Sequence, residues 1–112
     1  MPTQCTLWTK PNGINGKDIF EIVETYVDDQ HLFRRLLRCR ECGQLYFYEM
    51  HEEVDWVDGE DPQYRKYIPI VNETEVEMLK KTGPLELLQA LPALRSDFPK
   101  GAKTPKIYWA GK

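Results

Sequence analysis

Apolar and polar positions change period along the chain. Between residues 17 and 29, Ile19, Ile22, Val23, Tyr26 and Val27 recur at helical spacing, and Asn15 followed by Asp18 resembles a capping box. This spacing predicts a helix ended by Asp28-Asp29, with a strand as the alternative because the segment is rich in β-branched residues. From His31 the pattern becomes strand-like. His31 to Cys39 reads as one strand, Cys39-Arg40-Glu41-Cys42-Gly43 as a tight reversal, and Gln44 to Trp56 as the returning strand. Gly43 suits the positive φ that such a reversal needs. Near the reversal both faces are apolar, Leu45 and Phe47 on one and Tyr46, Tyr48 and Met50 on the other, which predicts a central strand. Further along, Val54 and Trp56 separate from Glu53 and Asp55, so one side emerges into water. Asp58-Gly59-Glu60-Asp61-Pro62 is a turn by composition, and Gln63 to Val71 a third antiparallel strand whose Pro69 marks an edge or an end.

Asn72 with Glu75 three residues on opens a helix that turns Val76 and Leu79 inward. Gly83-Pro84 breaks it and starts a second helix, LELLQAL, which Pro92 ends. Ile107-Tyr108-Trp109 reads as a short strand in a basic tail, and residues 1–16 as an N-terminal arm anchored by Leu7 and Trp8. The expected fold is α+β: a single domain over 1–112, with an antiparallel three- to four-stranded sheet built on the 31–71 meander and helices packed on one face. Leu36, Leu45, Phe47 and Ile68 are its expected core.

Charge changes this picture at one place. Seven of the 18 acids (Glu49, Glu52, Glu53, Asp55, Asp58, Glu60 and Asp61) fall between residues 49 and 61, where there is no Lys or Arg. That leaves 11 acids against all 15 bases, so a net charge of −3 hides one negative segment on a mildly basic body. A charge run is usually a solvated face. Here the acids alternate with Val54, Trp56 and Val57 and are followed by Tyr64 and Tyr67, a mixture that suits recognition of a cationic partner. The same field repels phosphate backbones and argues against nucleic acid. Glu49, Glu52, Glu53, Asp55, Trp56, Asp58, Glu60, Asp61 and Tyr64 are therefore the candidate partner-binding residues.

Other chemistry finds less support. Cys39-x-x-Cys42-Gly43 is half of a zinc knuckle, but a closed structural site needs four ligands. Extended strands would place His51 roughly 30 Å away, and His31 almost as far, so that Cys5 alone can approach. The expectation is that no cofactor is bound, with zinc on Cys39 and Cys42 as the alternative. A thioredoxin-like role is disfavoured because a strand follows the CxxC pair. Asp55-Trp-Val-Asp58-Gly59 lacks the ligand spacing of a calcium loop. Neither a glycine-rich phosphate loop nor a nucleophile elbow is present, and the single serine is Ser96. The chain is not expected to be an enzyme, though carboxylates with His51 offer an acid–base alternative. No apolar run approaches bilayer length, the N-terminus MPTQCTLWTK lacks a signal-peptide pattern, and three cysteines fit no closed disulfide set. A cytoplasmic location with no membrane partner is the expectation.

The run RCxxCGQxYFYE…EExDWxDGxDPQYRxYIP, from Arg38 to Pro69, resembles that of a group of small bacterial proteins, some of them similar to immunity proteins encoded beside secreted or contact-dependent toxins. The resemblance extends from the Asp29-Gln30-His31 region onward and includes LELLQ, RSDFPK and IYW. It implies a protein that binds one cognate toxin and blocks its active site, many such toxins being basic nucleases. It supplies no residue-level contacts. A zinc-knuckle regulatory or nucleic-acid-associated protein is the alternative function.

Overall fold

The computed structural model describes residues 4–16, 18–53, 56–59 and 62–111. Six strands form one antiparallel sheet in chain order: β1 (Phe20–Asp28), β2 (Leu32–Cys39), β3 (Leu45–Glu52), β4 (Gln63–Ile70), β5 (Ala93–Phe98) and β6 (Lys106–Ala110). Among the described residues one α-helix, α1 (Glu73–Lys80), lies between β4 and β5. The α+β class stands, but the sheet has six strands, not three or four.

The segment expected to be a helix is β1. Its register against β2 shifts between Ile22 and Glu24 and again between Thr25 and Val27. Each bulge displaces strict alternation by one residue, so the apolar spacing imitates a helical face. The first shift has a packing consequence. Phe20 and Tyr26 would share a face by plain alternation. Instead Phe20 stacks on Tyr67 (5.4 Å between ring centroids) while Tyr26 stacks on Phe47 (6.0 Å) across the sheet. Asp18, the expected capping partner, takes a left-handed φ of 57° in the turn before β1.

β3 is central, between β2 and β4, and its Tyr46 and Phe47 are fully buried on opposite faces. One face packs Leu36, Phe47, Ile68 and Ile70 against Val76 of α1 and Leu87. Leu45 is only half-buried at this core's margin. Asn72 caps α1 by accepting hydrogen bonds from the backbone N–H of Thr74 and Glu75 (3.0 and 3.3 Å). The expected LELLQAL helix is reduced to a 3₁₀ turn, Glu86–Gln89. Confined between Pro84 and Pro92, it buries Leu87 and leaves Leu85 82% exposed. Pro69 lies beyond the last β4–β5 pair, Tyr67–Leu94, where its missing N–H breaks no ladder.

The opposite face is covered by the N-terminal segment, not left open as a sheet with helices on one side would be. Two 3₁₀ turns (Thr6–Trp8 and Pro11–Asn15) lay Cys5, Leu7 and Ile14 over Leu37, Tyr46, Tyr67 and Leu94. The Trp109 indole N–H donates to the Leu7 carbonyl (2.7 Å), and the Trp8 and Trp109 rings meet edge to face at 4.8 Å. Among the described residues no helix is long and apolar enough to cross a membrane.

Candidate functional site

Strand parity sorts the acidic segment. Glu49 shares the α1-facing side of β3 with Leu45 and Phe47, and it is fully buried. Arg34 Nε and Nη2 both donate to Glu49 Oε2 (2.8 and 2.7 Å), while Lys66 Nζ donates to Oε1 (3.0 Å). Two buried cations against one carboxylate leave a net positive charge. It is offset by carbonyls at the C-terminus of α1 and just beyond it: Arg34 also donates to Leu79 O (3.4 Å), Lys80 O (3.3 Å) and Thr82 O (2.6 Å). Glu49 therefore fastens the helix to the sheet and is withdrawn from any partner. It leaves the list of candidate binding residues.

Glu52, at the end of β3, is partly committed. One oxygen meets His31 Nδ1 (3.1 Å), and the other accepts from Gln63 Nε2 (2.9 Å). Glu53 is exposed, and its backbone N–H donates to Pro62 O (2.9 Å), closing the base of the β3–β4 connection. In that connection Trp56 is 89% and Val57 86% exposed. Asp58 pairs with Lys100 Nζ (2.7 Å), which ties the connection to the β5–β6 loop. Gly59 takes a φ of 70°, the left-handed conformation the turn composition required. Asp55, Glu60 and Asp61 lie outside the described residues.

Tyr64 faces the same side as Glu49, one residue pair further out, opposite His51 and Asp97. Burial raises its phenol pKa, and the charges of Glu53 and Asp97 raise it further. It lines a cavity of about 580 Å³ between the sheet end and the 3₁₀ turn, with Leu85 and Leu88 as apolar wall and Lys66 beneath. Arg95 Nη2 donates to Leu88 O (2.7 Å) and holds that wall in place. Tyr108 Oη donates to Asp97 Oδ2 (2.7 Å) at the rim. Leu85, Leu88 and Asp97 were not among the candidates. The signal for the two leucines was a leucine-rich stretch too tightly bracketed by Pro84 and Pro92 to bury all its leucines, and Asp97 had none.

A second cluster lies across the sheet. Cys39 ends β2, Cys42 sits in the reversal and Gly43 takes a φ of 80°. The reversal is closed by Gly43 N–H to Cys39 O (2.8 Å) and Cys39 N–H to Gln44 O (2.9 Å). Cys5, the one ligand the sequence allowed to approach, does so. The three Sγ atoms lie within 4.8 Å of one another. Burial disfavours the Cys39 thiolate, but hydrogen bonds from the backbone N–H of Cys42 and Glu41 and from the neighbouring thiols outweigh it, and the Cys39 pKa lies below the usual thiol value. Burial pushes the Cys42 thiol up to about 12, with Cys5 and Cys39 adding to the rise. The buried Tyr46 hydroxyl lies beside Cys5 and makes no hydrogen bond of good geometry. Comparison with protein-family models, with curated protein sequences and with solved structures finds no match to this chain.

Proposed function

We propose that this chain is a binding protein that neutralises a basic protein partner, in the first instance a toxin domain, through the β3–β4 connection and the cavity beside it. The observation that carries the reading is the exposure of Trp56 and Val57 in a connection whose described charges, Glu53 and Asp58, are acidic. An indole and an adjacent valine this exposed add little to the buried apolar core. Set among carboxylates, they match the composition of an interface centre, where a few aromatic side chains hold the partner and surrounding charges guide it. Leu85, almost as exposed, is an apolar wall of the cavity that Glu53 and Tyr64 also line. Glu52, Glu53, Asp58 and Tyr64 border this surface, and Asp55, Glu60 and Asp61 belong to the same stretch of sequence.

Co-expression tests the reading. The protein encoded by the neighbouring reading frame, produced under an inducible promoter, should arrest growth unless this chain accompanies it. Trp56→Ala should lose protection while the variant remains folded and abundant. Full protection by a Trp56→Ala, Leu85→Ala double variant would refute this surface as the site of neutralisation.

A further inference from the structure

We propose that Cys5, Cys39 and Cys42 bind one zinc ion, with the Tyr46 hydroxyl facing its fourth coordination position. The three sulfurs come from two separate parts of the chain, the N-terminal segment and the β2–β3 reversal, and converge within 4.8 Å. Thiolates about 2.3 Å from a tetrahedral zinc lie about 3.8 Å from one another, so a small contraction of this triangle closes the site. A disulfide would need about 2.05 Å between two sulfurs and would leave the third thiol unpaired. Soft thiolate donors select zinc over calcium or magnesium, and a chain with only three cysteines cannot hold a four-cysteine iron–sulfur cluster.

The reversal also has the form such a site needs. Gly43 at φ 80° lets the chain curl so that the backbone N–H groups of Glu41 and Cys42 point at the Cys39 sulfur, where they stabilise a metal-bound thiolate. Tyr46 supplies an independent indication of a ligand. Its side chain is fully buried, and its hydroxyl lies against Cys5 without a hydrogen bond of good geometry. A buried hydroxyl rarely goes unsatisfied. A bound ion, or a water held on it, satisfies this one and completes four ligands with an oxygen. The thiols bind as thiolates, and their protons pass to solvent. The ion's role is structural. It fastens the segment carrying Leu7 and Trp8 onto the sheet and is independent of the partner-binding reading.

The test uses the full chain, purified from zinc-supplemented cells without affinity tags. One zinc per chain should survive gel filtration. Replacement by cobalt(II) should give near-ultraviolet thiolate charge transfer and the intense visible bands of a tetrahedral site. The charge transfer should fall in Cys42→Ser, a half-buried position, and fall again when Cys5→Ser is added. Tyr46→Phe should keep the charge transfer, alter the visible bands and weaken zinc binding roughly 10- to 100-fold. Where a serine variant does not fold, thiol reactivity of the wild type substitutes: all three cysteines should resist modification until a chelator is added, and Trp8 and Trp109 fluorescence should change with metal removal. Substoichiometric zinc together with no cobalt charge transfer would overturn the proposal. A cobalt spectrum indifferent to Cys5→Ser would overturn it as well, and so would an unchanged spectrum and affinity in Tyr46→Phe.

Discussion

Glu49→Gln should destabilise the protein by about 3–5 kcal/mol, because the substitution strands a buried lysine. The amide occupies the space of the carboxylate but cannot neutralise Lys66, whose Nζ lies 3.0 Å from Oε1 and whose side chain is 6% exposed. At that distance the gross attraction is about 5 kcal/mol for an effective dielectric of about 20. Part of it is recovered by hydrogen bonding to the amide oxygen. Arg34 keeps the α1 carbonyls, so the uncompensated charge falls mainly on Lys66. A domain of this size has about 5–15 kcal/mol in total, so the variant should unfold at far lower urea with an unchanged slope. Adding Lys66→Met should restore most of the loss, since a buried ion pair is replaceable by an apolar side chain of similar volume. Urea titrations of the wild type, both single variants and the double variant measure the coupling. A Glu49→Gln protein within about 0.5 kcal/mol of the wild type would show that Glu49 is solvated, and the reasoning would fail.

Three further outcomes are expected. Phe47→Ala, which empties the centre of the α1-facing core, should cost about 3–5 kcal/mol in the same assay. Asp58→Lys breaks a half-exposed pair with Lys100 and should change stability by less than about 1 kcal/mol, read as a small shift in melting temperature. Burial and the neighbouring Tyr48 raise the Tyr67 phenol to about 12 from its ordinary 10. The folded state thus holds this proton longer than the unfolded state, so its contribution is complete below pH 10 and is lost as pH rises towards 12. Tyr67→Phe should flatten the alkaline limb of stability in denaturant titrations between those values.

The meander was legible because β2, β3 and β4 are strand-length runs with apolar residues on both faces, separated by turns at Gly43 and Gly59, residues that tolerate left-handed backbone. β1 was not, because two bulges gave Ile22, Val23, Tyr26 and Val27 a helical spacing. β5 is not legible because Ala-Leu-Arg-Ser-Asp-Phe is short and half polar; of its buried positions only Leu94 is large, and Ala93 and Ser96 are buried because β4 and β6 flank the strand. The candidate binding residues were chosen by composition, which treats a run of acids as one surface. Parity along β3 places Glu49 beside Phe47 and could have separated it from the acids of the connection. The approach of Cys5 to the reversal depends on Leu7 burial and on Trp109, 102 residues from its hydrogen-bond partner, which no local pattern encodes.

The central claim, that the β3–β4 connection recognises a basic partner, is tested most directly by binding kinetics at two ionic strengths. Rim charges set the association rate and lose influence as salt screens them, whereas packed aromatic side chains set the dissociation rate. With the toxin domain of the adjacent reading frame, reversing Asp58, Glu60 and Asp61 to Lys should slow association at low salt and flatten its salt dependence. Trp56→Ala should leave association nearly unchanged and speed dissociation by tenfold or more, on the order of an interface anchor. Association at low salt that is unaffected by the triple reversal, with dissociation unaffected by Trp56→Ala, would contradict the account.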